Sequence, residues 1–395
     1  MVEIKKNQET NLSGIEIKKY FLLDNTAYLQ KEFDKAIANF RKAIAYLQAI
    51  LGVCEDWPDF QGIANIYHPL CSLKNATANF QQVLEINENW RDFHSVAYFY
   101  NFLGLIALLE DQIDEAISYF QKSLQVFEDA GNFYNVASVY HYLGIVTQRQ
   151  GQFDEAISYF QKSLQIREDR GDFYNAAADY HYLGKVANKQ LHFDEAIAYS
   201  QKALEIYEDA GDFYDTAKSY YNLGIITQEQ QKFDEAIAYY EKAIQTFKEF
   251  GDSWEAAKSC LLVGTIYVEQ GSWYKGLDYL EKSFQTYSKE NDYPLLAKTT
   301  YQIARTHHLM SNFDKSRIYY RDALRIYEHI KDWQGIALCK TGLGWLMVQI
   351  GFVEDALLEL ENAKEIYGEL GDKLWISEVE KMINLIEQMK EKQLK

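Results

Sequence analysis

The 395-residue chain repeats one unit of sequence every 40 residues. The position that opens the second half of each unit reads Phe33, Leu73, Ile113, Phe153, Phe193, Phe233, Trp273, Phe313 and Val353, nine copies with no insertion between them. A fixed period of this size predicts a stack of supersecondary units rather than one compact core, because each unit can bury its apolar face only against its neighbours. Such a stack grows by addition, so the chain length does not translate into a count of globular domains.

Within a unit, apolar and small residues recur at three- and four-residue steps. Phe133, Ala137, Tyr140, Gly144 and Thr147 mark the first half, and Ala156, Phe160 and Ser163 mark the second. This is the spacing of two amphipathic helices, and it predicts an all-α protein. Asp92, Asn132, Asp172, Asp212 and Asp252 stand where each first helix opens and suit its N-cap. Gly131, Gly171, Gly211 and Gly251 precede the last four of these and suit the left-handed residue that ends the previous helix. Acidic pairs such as Asp154-Glu155, Asp194-Glu195 and Asp234-Glu235 fall in the first turn of the second helices, where they complement the helix dipole. Two helices approach to roughly 8–9 Å only where side chains are small. The Gly144 and Ala156 positions predict that close crossing, and a run of alanines at the Ala137 position adds a second one.

Residues 1–12 read as a polar, disordered tail, and residues 13–372 as nine helix pairs. The second pair is degenerate, with Pro58 at a helix start and Pro69 near a helix end, which predicts a kink or a shortened helix. Residues 373–395 carry one apolar stripe (Trp375, Val379, Met382, Ile383, Ile386 and Met389) on an otherwise charged segment, as expected of a C-terminal capping helix.

The order Tyr140, Leu143-Gly144, Ala156, Phe160, Ser163 resembles the tetratricopeptide repeat (TPR). The resemblance covers residues 13–372, and the 40-residue length is similar to that of Pins/LGN-type variants and of bacterial tandem arrays. Two features depart from the family pattern: its closing proline is absent, and a Gly-Asp pair takes over the boundary. The resemblance implies a right-handed superhelical solenoid whose first helices line a concave groove that holds peptides or partner helices. Some members clamp a carboxylate with a set of Lys, Asn and Arg. Asn222 and Lys258 match two positions of that set, but His181, Lys185 and Leu262 do not, so the clamp is not carried over.

One stripe of the first helices is expected to face the groove. It offers Tyr134, His141 and Arg149 in the fourth unit, and Tyr174, His181, Lys185, Asn188 and Lys189 in the fifth. Tyr214, Lys218, Tyr221 and Asn222 follow in the sixth unit, Trp254 and Lys258 in the seventh, and Lys298 and Arg305 in the eighth. Cations and aromatics along one wall suit an acidic or aromatic-rich segment. The alternative is a solvated stripe that balances the acidic second helices.

Several classes are disfavoured. A formal charge of −18 and a pI near 5.0 oppose nucleic-acid binding. No apolar run reaches the roughly 18 residues of a membrane span. The four scattered cysteines read as free thiols of a reducing, cytoplasmic setting. His141 and His181 occupy equivalent positions, but no carboxylate or cysteine joins them on their stripe, so no metal site is expected. There is no phosphate loop or nucleophile elbow, and no acid, base or nucleophile that breaks the repeat inside the groove. No cofactor is expected either. The chain reads as a non-catalytic protein-interaction scaffold or adaptor. The alternative is a regulatory sensor whose superhelix changes when a peptide binds, and homo-oligomerisation is left open.

Overall fold

The computed structural model describes residues 93–393, which form fifteen helices and, among the described residues, no strand. In order they are α1 (Phe93–Leu109), α2 (Ile113–Asp129), α3 (Phe133–Arg149), α4 (Phe153–Asp169), α5 (Phe173–Lys189), α6 (Phe193–Ala210), α7 (Phe213–Glu229) and α8 (Phe233–Phe250). They continue as α9 (Ser253–Glu269), α10 (Trp273–Glu290), α11 (Tyr293–Leu309), α12 (Phe313–Ile330), α13 (Trp333–Gln349), α14 (Val353–Leu370) and α15 (Lys373–Gln393). The chain divides between Ile206 and Tyr207 into two compact units, each treated by itself. The polar tail, the first two repeats with Pro58 and Pro69, the Asp92 cap, Cys54 and Cys71 lie outside the described residues.

From α3 onward, odd-numbered helices open on a side-chain cap. The carboxylate or amide oxygen of Asn132, Asp172, Asp212, Asp252, Asp292, Asp332 and Asp372 accepts from the backbone N–H three residues on. Each such cap contributes about 1 kcal/mol. The described even-numbered helix starts make no cap of this kind, and all but α10 carry acids in the first turn instead, among them Asp154, Glu155, Asp234 and Glu235.

Left-handed backbone recurs every 20 residues, from Asp111 to Gly371. Glycine fills most of these turns, but Asp111, Leu191, Gln231, Asn291, Ser311 and Lys331 hold φ between 57° and 62°. A side chain there costs about 1–2 kcal/mol relative to glycine, so the turn geometry overrides residue preference. Leu191 is exposed and contributes little packing in return. Leu191→Gly is therefore expected to raise stability by about 1 kcal/mol, the relieved strain less the extra unfolded-state entropy. Leu191→Ala should give no such gain. Urea unfolding of the two variants compares them.

The core of the first unit is set by the predicted close crossing. A Cβ built on Gly144 would lie 2.6 Å from the ring of Phe160, and one on Gly104 would lie 2.7 Å from Phe120. Phe160, Ala156, Leu143 and Val146 are buried around that contact. In the second unit the same positions pair Gly224 with Tyr240, Gly264 with Leu280 and Gly344 with Leu360. At its C-terminal end, α15 lays Val379, Ile383 and Ile386 against α14, and Trp375 stacks on Tyr367 with ring centroids 5.5 Å apart.

Candidate functional site

In the first unit the stripe of α3 and α5 is only partly open. Tyr134, Arg149 and Lys189 are exposed, Tyr174 and Lys185 are half-buried, and His141, His181 and Asn188 are buried. Arg149 donates from Nη1 to the Leu108 carbonyl at 3.3 Å. Lys185 places its ammonium 5.1 Å from the centre of the Tyr182 ring. The two histidines, expected on an open wall, are instead packed among rings. His141 meets Tyr142, Phe160 and Tyr182 edge-on, and His181 meets Tyr182 in the same way.

His141 is held there by a carboxylate that the stripe does not contain. Its Nδ1 lies 2.7 Å from Oδ1 of Asp179, which is fully buried. Ser163 Oγ and Arg167 Nη1 both donate to Asp179 Oδ2 at 2.8 Å. Arg167 Nη1 also donates to the Asn175 carbonyl at 2.6 Å. One cluster thus ties α3, α4 and α5 together, with an Asp–Arg ion pair at its centre. Burial is the largest influence on His141 and holds its imidazole below the ordinary value despite the adjacent carboxylate. With Arg167 already balancing Asp179, a second buried cation would go uncompensated.

Both Asp179 and Arg167 break the repeat. From the third repeat on, the Arg167 position at 40-residue spacing otherwise reads Phe127, Tyr207, Phe247, Tyr287, Tyr327 and Tyr367. Over the same repeats the Asp179 position reads Phe99, Val139, Ser219, Ser259, Thr299 and Cys339, and only the degenerate second repeat also carries an aspartate there, Asp59. The signal was in the sequence, as two coupled departures just outside the stripe. Chemically the cluster is not a nucleophile-activating triad. Ser163 bonds the carboxylate rather than the imidazole, so nothing removes its proton.

In the second unit, two lysines of the expected cationic wall are neutralised locally. Lys218 is buried, with Nζ 3.4 Å from Asp215 Oδ1 and 4.8 Å from the Tyr214 ring centre. Lys258 has its Nζ 3.4 Å from Glu255 Oε2, and its ammonium faces both Tyr221, at 5.0 Å, and Trp254, at 5.4 Å. Trp254 is anchored in turn by Nε1 donating to Asp292 at 2.8 Å. Asn222 is buried beside this row. The acids stand three residues before the lysines, on the same helix face. Lys298 is exposed and Arg305 half-buried on α11, and neither forms an ion pair among the described residues. Seven residues apart on a helix, they share a stripe about 10 Å in length.

Among the described residues no three His, Cys, Asp or Glu side chains converge as a metal site. No described helix is long and apolar enough to cross a membrane. Cys260 and Cys339 are buried free thiols, and burial pushes them up to about 11 and about 12, so neither is a thiolate near neutral pH.

No curated protein matches the chain in sequence. Solved structures match its fold. A signal transduction ATPase with a tetratricopeptide repeat sensor from Pyrococcus horikoshii aligns with a TM-score of 0.67 at 15% identity, over 96% of this chain and 56% of that one. The present chain therefore spans little more than half of that protein. The apo quorum sensor NprR from B. thuringiensis aligns with a TM-score of 0.59 at 16% identity, over 83% of this chain and 94% of that one. A Rap protein complexed with competence and sporulation factor gives a TM-score of 0.51 at 16% identity, over 96% and 99% of the two chains. The family model described as tetratricopeptide repeat matches residues 95–169, 135–209, 174–249 and 255–329, together more than half of the chain. With helix pairs at a 40-residue period and a small residue at the crossing of each described pair, glycine in all but the one with Ala304, the chain belongs to the tetratricopeptide repeat family.

Proposed function

We propose that the protein is a non-catalytic interaction scaffold that holds a peptide segment of a partner on its first-helix faces, and that an acidic segment is the preferred class. The observation that carries this reading is the α11 stripe, where Lys298 and Arg305 stand without acidic partners among the described residues while Lys218 and Lys258 are matched by Asp215 and Glu255. A peptide in polyproline II conformation repeats its face every three residues, about 9 Å along its axis. That spacing matches the two cations of α11. Tyr214, Tyr221 and Trp254 add aromatic contact area at low entropic cost. A reducing, cytoplasmic setting is consistent with the buried thiols of Cys260 and Cys339.

A second reading, a peptide-responsive regulatory sensor, draws support from the fold likeness to a tetratricopeptide repeat sensor and to the quorum sensor NprR. The Rap protein complexed with competence and sporulation factor adds a related stack that carries a bound factor. Panning a phage-displayed library of random twelve-residue peptides tests the first reading. The expected result is enrichment of sequences with two acidic residues three positions apart. Their affinity should fall about tenfold, equivalent to roughly 1.4 kcal/mol, in the K298E/R305E double variant. Enrichment without acidic bias, or binding indifferent to that variant, contradicts it. Small-angle scattering with and without an enriched peptide separates the two readings, since a sensor changes its dimensions and a rigid scaffold does not.

A further inference from the structure

The histidine at the centre of the first unit has one nitrogen accounted for and one not. Nδ1 of His141 faces Asp179, whose other oxygen already accepts from Ser163 and Arg167. A carboxylate only accepts hydrogen bonds, so the proton between Asp179 and His141 sits on Nδ1. With the imidazole neutral, Nε2 is left as a bare lone pair. His141 is 4% exposed, and its Nε2 meets no donor among the described residues. Three edge-on rings, those of Tyr142, Phe160 and Tyr182, fix the plane of the imidazole. The result is a hydrogen-bond acceptor whose direction and protonation are both set before any ligand arrives. A ligand donor that reaches this nitrogen meets an acceptor already oriented, so little ordering cost remains. Stability alone does not require the arrangement, because an apolar pair fills the equivalent space one repeat earlier, at Phe127 and Val139.

We propose that Asp179, anchored by Arg167 and Ser163, is a positioning residue that fixes His141 as the Nδ1–H tautomer, and that His141 Nε2 accepts a hydrogen bond from a hydroxyl or amide N–H of the bound segment. This rests on the reading of the first-helix faces as a peptide-binding surface and adds the class of group recognised there. Lys185, whose ammonium lies over the same Tyr182 ring that His141 meets, supplies a cation for a carboxylate borne by that segment. The pairing therefore selects a donor group accompanied by an acid. The indifferent alternative, a histidine that merely fills space, does not need a fixed tautomer.

Two measurements test the proposal. The first needs no peptide: long-range nitrogen–proton correlation spectra of the imidazole, assigned by the signal lost in His141→Gln. The parent should show Nδ1 protonated and Nε2 bare. Asp179→Asn presents an amide N–H to Nδ1 and should drive the proton to Nε2, turning the acceptor into a donor. The second measurement is the affinity of peptides that a separate panning of the displayed library yields on the parent but not on His141→Gln. It should weaken about tenfold in Asp179→Asn while circular dichroism and urea unfolding report a folded chain. Should Asp179→Asn fail to fold, the R167F/D179V variant, built from the residues of the preceding repeat, removes the anchor and should give a mixed tautomer and the same loss. A parent spectrum with Nε2 protonated overturns the assignment while leaving the peptide reading intact. Binders that ignore both variants also overturn the assignment alone. A library that yields no binder overturns the peptide reading and this assignment with it.

Discussion

Replacing Asp179 alone by Val is expected to cost about 3–5 kcal/mol, and replacing Arg167 alone by Phe a similar amount, whereas the R167F/D179V double variant stays within about 2 kcal/mol of the parent. Each single change strands a buried charge, since Asp179 is fully buried and Arg167 is 8% exposed. Loss of Arg167 also removes the side-chain donor to the Asn175 carbonyl, and loss of Asp179 frees Ser163. The double variant removes both charges at once and installs residues that the neighbouring repeat already packs at Phe127 and Val139. Ser163 then has a model for its new partner, because Ser123 in that repeat donates to the Ala97 carbonyl at 2.8 Å. The residual cost comes from the bond His141 loses. Apparent free energies from urea unfolding of the four proteins form a double-mutant cycle. The coupling should be several kcal/mol, far above the roughly 0.5 kcal/mol within which independent sites add. Additive losses would show that the two residues do not act as a pair.

The second large effect is expected at the helix crossing. Phe160→Ala should lose about 3–5 kcal/mol, since the ring is fully buried and its removal opens a cavity. Gly144→Ala should lose about 1–3 kcal/mol by overpacking, because its Cβ would meet that ring at 2.6 Å. The double variant G144A/F160A should cost less than the sum, as the methyl at position 144 enters space vacated by the ring. Thermal and urea unfolding of the three variants checks the sign of that coupling. Losses that add, or exceed the sum, would mean that Gly144 is not the seat of Phe160.

Much of this architecture was legible in the residues. Asn132, Asp172, Asp212 and Asp252 cap where the period places them, and Gly144 admits the ring that the small-residue column predicts. These features are local or repeat at a fixed step, so one copy explains all. The left-handed turns at Leu191, Gln231 and Lys331 were not legible, because the repeat imposes a conformation that those side chains resist.

The candidate site was legible as a stripe but not in its electrostatics. Lys218 and Lys258 read as open cations. Their neutralisation by Asp215 and Glu255 follows from an i, i+3 spacing that could have been read on the same helix. Asp179 and Arg167 escaped for a different reason. Each breaks its own column on a different helix, and only the packing of α4 against α5 shows that the two breaks are one event. A repeat hides such pairs from any reading that follows one face at a time.

The central claim is that first-helix faces, rather than the acidic second helices, receive a partner segment. Hydrogen-exchange protection with and without a peptide enriched from the displayed library measures this most directly. The account predicts that added protection, and the adjacent side-chain perturbations, fall on the odd-numbered helices, with α11 around Lys298 and Arg305 among the most affected. Protection confined to even-numbered helices, around exposed acids such as Glu155 and Glu235, would contradict it.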